Sequence, residues 1–398
     1  GRGGKRYGRQ ALTQPVLEAP FFWVGLKLDQ LGSGGRRDSW RVAMLRLYNP
    51  VMAALTVFSV FALLSLRGVS ERRALGVAGL SAVATLIWPY SKVGMDTTLM
   101  AMIALSFVAA AWAAARPTTL RFALVGIAAG LAANSKPYGA FLLAGVVPLL
   151  WRPFQQLPPR QRARVAAALV APLVLAAVAG GWYNWYRTGS VTNFMNNYIA
   201  APVAAPISAV GLFISPGKGL LLYSPLVILG LVGFKDLWRS DRWLALAIVL
   251  TVVANTVVIA VSLSWADETW GPRYLVPSAW LLVLPIAWWA KGRTRVRWLA
   301  AVAIVGVCIQ FAAVLGNYGD AIPVGQALSG GENVYGFGRP VAYGDDGPRW
   351  VPGASPLLFQ IELAAAYIKE ELTGTGFRVT YDPYRGNPAT IDLTHPAR

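Results

Sequence analysis

Ten stretches of apolar residues run through this chain, separated by short polar connections. They predict spans at about Tyr48–Leu66, Ala74–Tyr90, Thr97–Ala115, Phe122–Ser135, Gly139–Trp151, Val165–Tyr183, Gly219–Phe234, Trp243–Ser264, Tyr274–Ala290 and Trp298–Leu315. Most are long enough to cross a bilayer as helices, and Gly139–Trp151 is short for a full crossing. A further segment, Leu17–Leu31, carries Phe21, Phe22, Trp23, Leu26 and Leu28 but is too interrupted to span. It suits a helix lying in the headgroup plane. From about residue 316 the composition shifts to Gly and Pro without a span. There Pro356–Leu372 has helical spacing and Phe377–Tyr381 the character of a short strand. The organisation expected is a loop and interfacial segment over 1–46, a transmembrane helical domain over 47–315 and a C-terminal tail over 316–398.

The polar connections alternate in kind. The odd ones are basic clusters: Arg67, Arg72 and Arg73; Arg116 and Arg121; Arg152, Arg160, Arg162 and Arg164; Lys235, Arg239 and Arg242; Lys291, Arg293, Arg295 and Arg297. The even ones hold isolated cations, Lys92, Lys136, Arg187, Lys218 and Arg273, with Asp96, Asp267 and Glu268, among Pro, Gly, Tyr and Trp. Sixteen Lys and Arg against five place the odd connections in the cytoplasm. The sparse charges then share the extracytoplasmic face, and both chain ends lie there too. The segment up to Arg46, with nine basic residues, conflicts with that placement unless a preceding span sets the orientation.

Composition agrees with an all-α polytopic membrane protein: 56% apolar residues and a mean hydropathy of +0.48. The net charge of +18 does not mark a nucleic-acid binder, because the spans force the basic residues apart into separate loops. With one cysteine, Cys308, inside an apolar run, no intramolecular disulfide can form, and a buried inert thiol is expected. A lone His395 in the tail leaves no basis for histidine-based metal or triad chemistry.

Each candidate residue on the sparse face has two readings. Asp96 opens a span and is either a helix N-cap or a charged ligand in an outward cavity, with Lys92 nearby to neutralise it or to bind phosphate. Lys136, in the turn Ser135-Lys136-Pro137-Tyr138-Gly139, either snorkels at a helix end or serves as a cation for a lipid phosphate. Arg273 is either an interfacial arginine paired with Asp267 or Glu268, or a planar fork for phosphate or carboxylate. Asp267 and Glu268 together could ligate a divalent metal through oxygen. Trp182, Tyr183, Trp185 and Tyr186 read as an aromatic belt or a sugar-stacking wall. Ser215-Pro216-Gly217-Lys218-Gly219 fails the P-loop spacing and has no Ser or Thr after Lys218.

Four stretches carry a family likeness. They are Tyr7-Gly8-Arg9-Gln10 leading to Gln14-Pro15-Val16-Leu17; Trp88-Pro89-Tyr90-Ser91-Lys92 with Asp96; Gly130-Leu131-Ala132 leading to Lys136-Pro137; and Ser215 to Pro225 together with Trp270-Gly271-Pro272-Arg273-Tyr274-Leu275-Val276-Pro277. In these the chain resembles the lipid-carrier-dependent glycosyltransferases of the GT-C fold, the group of protein O-mannosyltransferases and aminoarabinose transferases. The resemblance covers most of Tyr7 to Leu315. It implies a bundle of about ten transmembrane helices in a bacterial plasma membrane. The reaction implied is transfer of a sugar from a polyprenyl-phosphate donor to an extracytoplasmic acceptor, with inversion at the anomeric carbon. Lys92, Lys136 and Arg273 would then stabilise the phosphate leaving group, with Asp96 as a second carboxylate. That family carries its principal catalytic acid upstream of its Tyr-Gly stretch, and here no acidic residue precedes Glu18. Because the chain opens on Gly1 rather than Met, the expectation is a longer protein whose acid lies upstream. Two other classes remain: a transporter or flippase of a lipid-linked sugar, for which inverted repeats and midplane charges would speak, and a non-catalytic membrane assembly subunit.

Overall fold

The computed structural model describes residues 10–31, 40–93, 96–192, 205–261, 269–315, 355–373, 378–381 and 389–392. All ten apolar runs are helical within the described residues, but only five are single helices long and apolar enough to cross a membrane. These are α2 (Trp40–Leu66), α5 (Thr97–Ala115), α9 (Pro159–Thr188), α13 (Arg242–Ala260) and α16 (Arg293–Leu315). A sixth run is the 15-residue helix α6 (Thr119–Ala133).

The other four runs are chains of shorter helices. They comprise α3 (Glu71–Val83) with α4 (Ile87–Ser91); α7 (Gly139–Leu142) with α8 (Val146–Gln155); α11 (Leu220–Tyr223) with α12 (Leu226–Ser240); and α14 (Val276–Ala279) with α15 (Ile286–Trp289). The interruptions have local causes. Pro225, Pro277 and Pro285 sit at the N-terminal boundaries of these pieces, where a missing N–H is tolerated. Between α7 and α8 the Thr251 hydroxyl donates to the Leu142 carbonyl at 3.1 Å, and Gly145 lies so close to α13 that a Cβ there would meet the Ala247 carbonyl oxygen at 2.3 Å. Of these broken segments α14 and α15 are buried throughout, and neighbouring side chains take freed carbonyls, as Thr251 does for Leu142 and Arg73 for Ala287.

Small residues set the closest helix pair. Gly126 and Gly130, four apart on α6, face α9. A Cβ at Gly126 would lie 2.3 Å from the Leu169 carbonyl oxygen, and one at Gly130 would lie 2.7 Å from the Ala176 Cβ. This is the small-xxx-small spacing that lets helix backbones approach within a membrane. Asn134 locks the pair by donating to the Ala176 carbonyl at 2.7 Å.

The predicted interfacial segment forms α1 (Thr13–Leu31), which lies against α2 and is not apolar enough to cross. Asp29 pairs with Arg41 at 2.6 Å across the α1–α2 crossing. A short helix α10 (Ala205–Ile214) packs on α13. In the tail, α17 (Pro356–Thr373) lies along α16, with the Gln360 amide donating to the Ala312 carbonyl at 2.8 Å. Beyond it β1 (Arg378–Tyr381) pairs antiparallel with β2 (Ala389–Asp392), Arg378 opposite Asp392.

Cys308 corrects the expectation of a buried thiol: it is exposed on α16, a helix that faces largely away from the bundle. An apolar run reads as core in the sequence, but in a membrane protein its outer face is solvated by lipid. The aromatic group on α9 behaves alike. Trp182, Trp185 and Tyr186 are all exposed near the end of that helix, and Trp182 stacks on Tyr186 at 5.7 Å.

Candidate functional site

The odd connections gather at one end of the bundle. There Arg67 pairs with Asp241 at 2.5 Å, Arg295 pairs with Asp236 at 3.1 Å, and Arg121 lies over the Trp112 ring at 4.3 Å. The sparse connections meet at the other end, around Asp96. This carboxylate is fully buried and joins three chain segments. Arg273 donates from Nε to Oδ2 at 2.8 Å. The Lys136 ammonium lies 3.4 Å from Oδ1, and the Tyr138 hydroxyl donates to Oδ1 at 3.2 Å.

Asp96 occupies the N-cap position of α5, yet its side chain accepts no hydrogen bond from that helix. The cations and Tyr138 take it instead, so the capping reading is corrected. Burial alone would push its carboxyl pKa up. The fields of Lys136 and Arg273, with the hydrogen bonds from Arg273 and Tyr138, outweigh burial and hold it below its ordinary 3.8.

Each partner is held in place by the fold. Lys136 and Tyr138 leave α6 in a turn closed by Gly139 N–H donating to the Lys136 carbonyl at 2.9 Å. The start of α1 clamps that turn: Thr13 donates from its backbone to the Asn134 carbonyl at 3.2 Å and from its hydroxyl to the Leu131 carbonyl at 2.7 Å.

Arg273 rides on a loop tied down from four sides. Tyr90 donates to the Trp270 carbonyl at 2.7 Å, and the Trp270 indole donates to Gln310 at 3.2 Å. Asn255 donates to the Tyr274 carbonyl at 3.0 Å, and the Lys218 ammonium donates to the Thr269 carbonyl. Gly271 turns this loop at φ +55°, with Tyr223 ring carbons 2.9 Å from where a Cβ would stand. Backbone sign and space both require glycine here. The guanidinium carbon of Arg273 also lies 4.7 Å from the Tyr274 ring centroid.

Of the residues predicted for the outward face, the structure brings Asp96, Lys136 and Arg273 together. Lys92 is the correction. It is exposed, and its ammonium donates to the Val314 carbonyl at 2.7 Å, in the last turn of α16. The end of α4 points this side chain to the neighbouring helix terminus, where bare carbonyls attract a cation. Lys218 is buried and spent on the Arg273 loop, and Arg187 is buried against Tyr183, Asn184 and the Gln10 carbonyl. Asp267 and Glu268 lie outside the described residues. Among the described residues no group of three His, Cys, Asp or Glu gathers. Tyr138 was not singled out by the sequence, although its place two residues after Lys136, across Pro137, carries both side chains to the same carboxylate.

A bundle of long and broken apolar helices makes this an all-α, multi-pass membrane protein. No family model matches the sequence, and no curated protein matches it. Among solved structures it is similar to the crystal structure of ArnT from Cupriavidus metallidurans in the apo state. The TM-score is 0.50 and the identity 16%, over 92% of this chain and 69% of that one. At this identity the likeness speaks to the fold.

Proposed function

We propose that the protein is a membrane glycosyltransferase that moves a sugar from a polyprenyl-phosphate donor to an extracytoplasmic acceptor. The observation that carries the proposal is the convergence of Lys136 and Arg273, from segments far apart in sequence, on the single buried carboxylate of Asp96. Cleaving a sugar–phosphate bond builds negative charge on the departing phosphate, and preorganised cations where that charge develops lower the barrier. Lys136 and Arg273 would supply such cations.

Asp96 in this proposal is a positioning residue. A carboxylate already committed to two cations and a phenol, with its pKa depressed, is a poor proton acceptor, so it aligns Lys136 and Arg273 rather than serving as base. The lipid tail of the donor would lie among the apolar helices. Pre-paired cations cost little reorganisation when phosphate arrives.

The test supplies polyprenyl phosphate carrying a radiolabelled hexose or pentose to proteoliposomes of the full protein and follows label leaving the lipid fraction. Transfer by the wild type, reduced by about 10²-fold in Arg273→Lys, supports the proposal. Equal transfer by both removes Arg273 from it. Movement of intact lipid-linked sugar across the bilayer without cleavage would make the protein a flippase instead.

A further inference from the structure

At the opposite end of the bundle a cavity of about 250 Å³ opens between the ends of α2, α5, α8 and α13. Its walls include Leu66, Ala115 and Leu149, and its polar residues are Arg67, Arg152 and Trp243. We propose that this cavity binds the phosphate headgroup of an anionic phospholipid.

Three features support that ligand. First, the charge is positive and partly unanswered. Arg67 is neutralised by Asp241 at 2.5 Å, but Arg152 is exposed and pairs with no carboxylate among the described residues. Its guanidinium carbon lies 5.9 Å from the Trp243 ring, and that of Arg242 lies 5.3 Å from the same ring. Second, Trp243 keeps a buried indole N–H that meets no acceptor among the described residues. A buried donor without an acceptor is unfavourable, and the ring that carries it lines the cavity. Third, the walls are apolar and the cavity lies at the helix ends that carry the basic clusters. A basic pocket between transmembrane helices at that level is where an anionic lipid headgroup sits. The volume admits a headgroup and its first carbons, leaving the acyl chains outside along the exposed apolar faces. Soluble phosphate shares the same chemistry, but the apolar walls favour the lipid.

The site is remote from Asp96, so it can be tested independently of the transfer reaction. The full protein in detergent would be titrated with phosphatidylglycerol or phosphatidylcholine, and retained lipid would be counted by native mass spectrometry. Phosphatidylglycerol is expected to be retained in preference. Arg152→Ala should weaken retention by about fivefold, the fold-change of one basic contact at an anionic surface. Trp243→Phe, which loses the indole N–H and the larger ring beside Arg152, should also weaken it, and Arg160→Ala should leave it unchanged. Arg160 is an exposed basic residue outside the cavity, so an equal loss in Arg160→Ala would reduce the effect to general charge and overturn the site. Equal retention of phosphatidylcholine would overturn it too, as would displacement of phosphatidylglycerol by excess inorganic phosphate. Because Arg152 is exposed, its alanine variant tests the site without disturbing the core even if Trp243→Phe fails to fold.

Discussion

Arg273 reaches Asp96 across 177 residues of sequence, Nε to Oδ2 at 2.8 Å, beside a tyrosine ring that flanks its guanidinium. The contact is made through Nε of a planar group that carries several N–H donors. Lysine would keep the charge but lose that planar, multi-donor geometry. Arg273→Lys is therefore expected to lower kcat of sugar transfer by about 10²-fold while expression and membrane insertion stay normal. Turnover near wild type would mean that charge alone suffices.

Asp96→Asn tests the other partner. Asparagine caps helices as well as aspartate does, and the Asp96 side chain makes no capping bond, so capping cannot explain any loss. The substitution removes the carboxylate charge that both cations share. Removing one partner of a buried ion pair costs about 3–5 kcal/mol, so a lowered Tm is expected along with lost transfer. Removing the phenol hydroxyl with Tyr138→Phe should cost less, about 1.5–3 kcal/mol for a hydrogen bond to a charged group. A Tyr138→Phe loss as large as that of Asp96→Asn would show that the phenol has a role of its own.

The residues of this site could be read from the sequence; their pairing could not. Alternating basic clusters already assigned Asp96, Lys136 and Arg273 to one end, because helix ends are fixed by span count. Nothing in a single chain says which outward charge meets which, and Lys92, closest in sequence to Asp96, turned instead to the carbonyl of Val314. The apolar runs identified the bundle but not its breaks, since Thr251 intruding on α7 is a tertiary effect. Exposure was misread at Cys308 for a related reason: hydropathy marks what avoids water, and lipid satisfies that as well as protein does.

The pH dependence follows from the depressed pKa of Asp96. A carboxyl whose folded value lies below its unfolded value stabilises the fold fully above the unfolded value of 3.8, and loses that contribution as pH falls through the folded value. The site should therefore be insensitive to pH from neutrality to about pH 4 and weaken only below it. In Lys136→Met one of the two fields opposing burial is gone, so the acid transition should move to higher pH. Intrinsic fluorescence unfolding at stepped pH would show it. An unchanged acid midpoint in Lys136→Met would mean that Lys136 does not act on Asp96.

Gly271→Ala separates backbone strain from crowding. Gly271 has φ +55° and a Tyr223 ring carbon 2.9 Å from the site of a Cβ, whereas Gly292 has φ +82° and open space around it. Alanine at Gly292 should cost only the left-handed penalty, about 1–2 kcal/mol. Alanine at Gly271 must also displace Tyr223 or the loop, so it should lower Tm further and carry Arg273 away from Asp96, abolishing transfer. Equal Tm shifts in the two variants would show that the Tyr223 contact does not constrain the loop.

Sidedness is the remaining proposal that the fold permits testing directly. The basic clusters lie at one end of the bundle and Asp96 at the other, so a single reporter at each end fixes the orientation. Lys92 and Arg160 are both exposed and belong to opposite ends by span order, and neither supports the Asp96 site. Cys308 is exposed and would itself react with a small thiol reagent that enters the bilayer, so the experiment begins from Cys308→Ala and uses a membrane-impermeant maleimide on intact cells. Sixteen basic residues in the odd connections against five in the even ones favour retention of the clusters in the cytoplasm. Lys92→Cys is therefore expected to label from outside and Arg160→Cys to label only after the membrane is opened. The reverse pattern would put Asp96, Lys136 and Arg273 on the cytoplasmic face and exclude an extracytoplasmic acceptor.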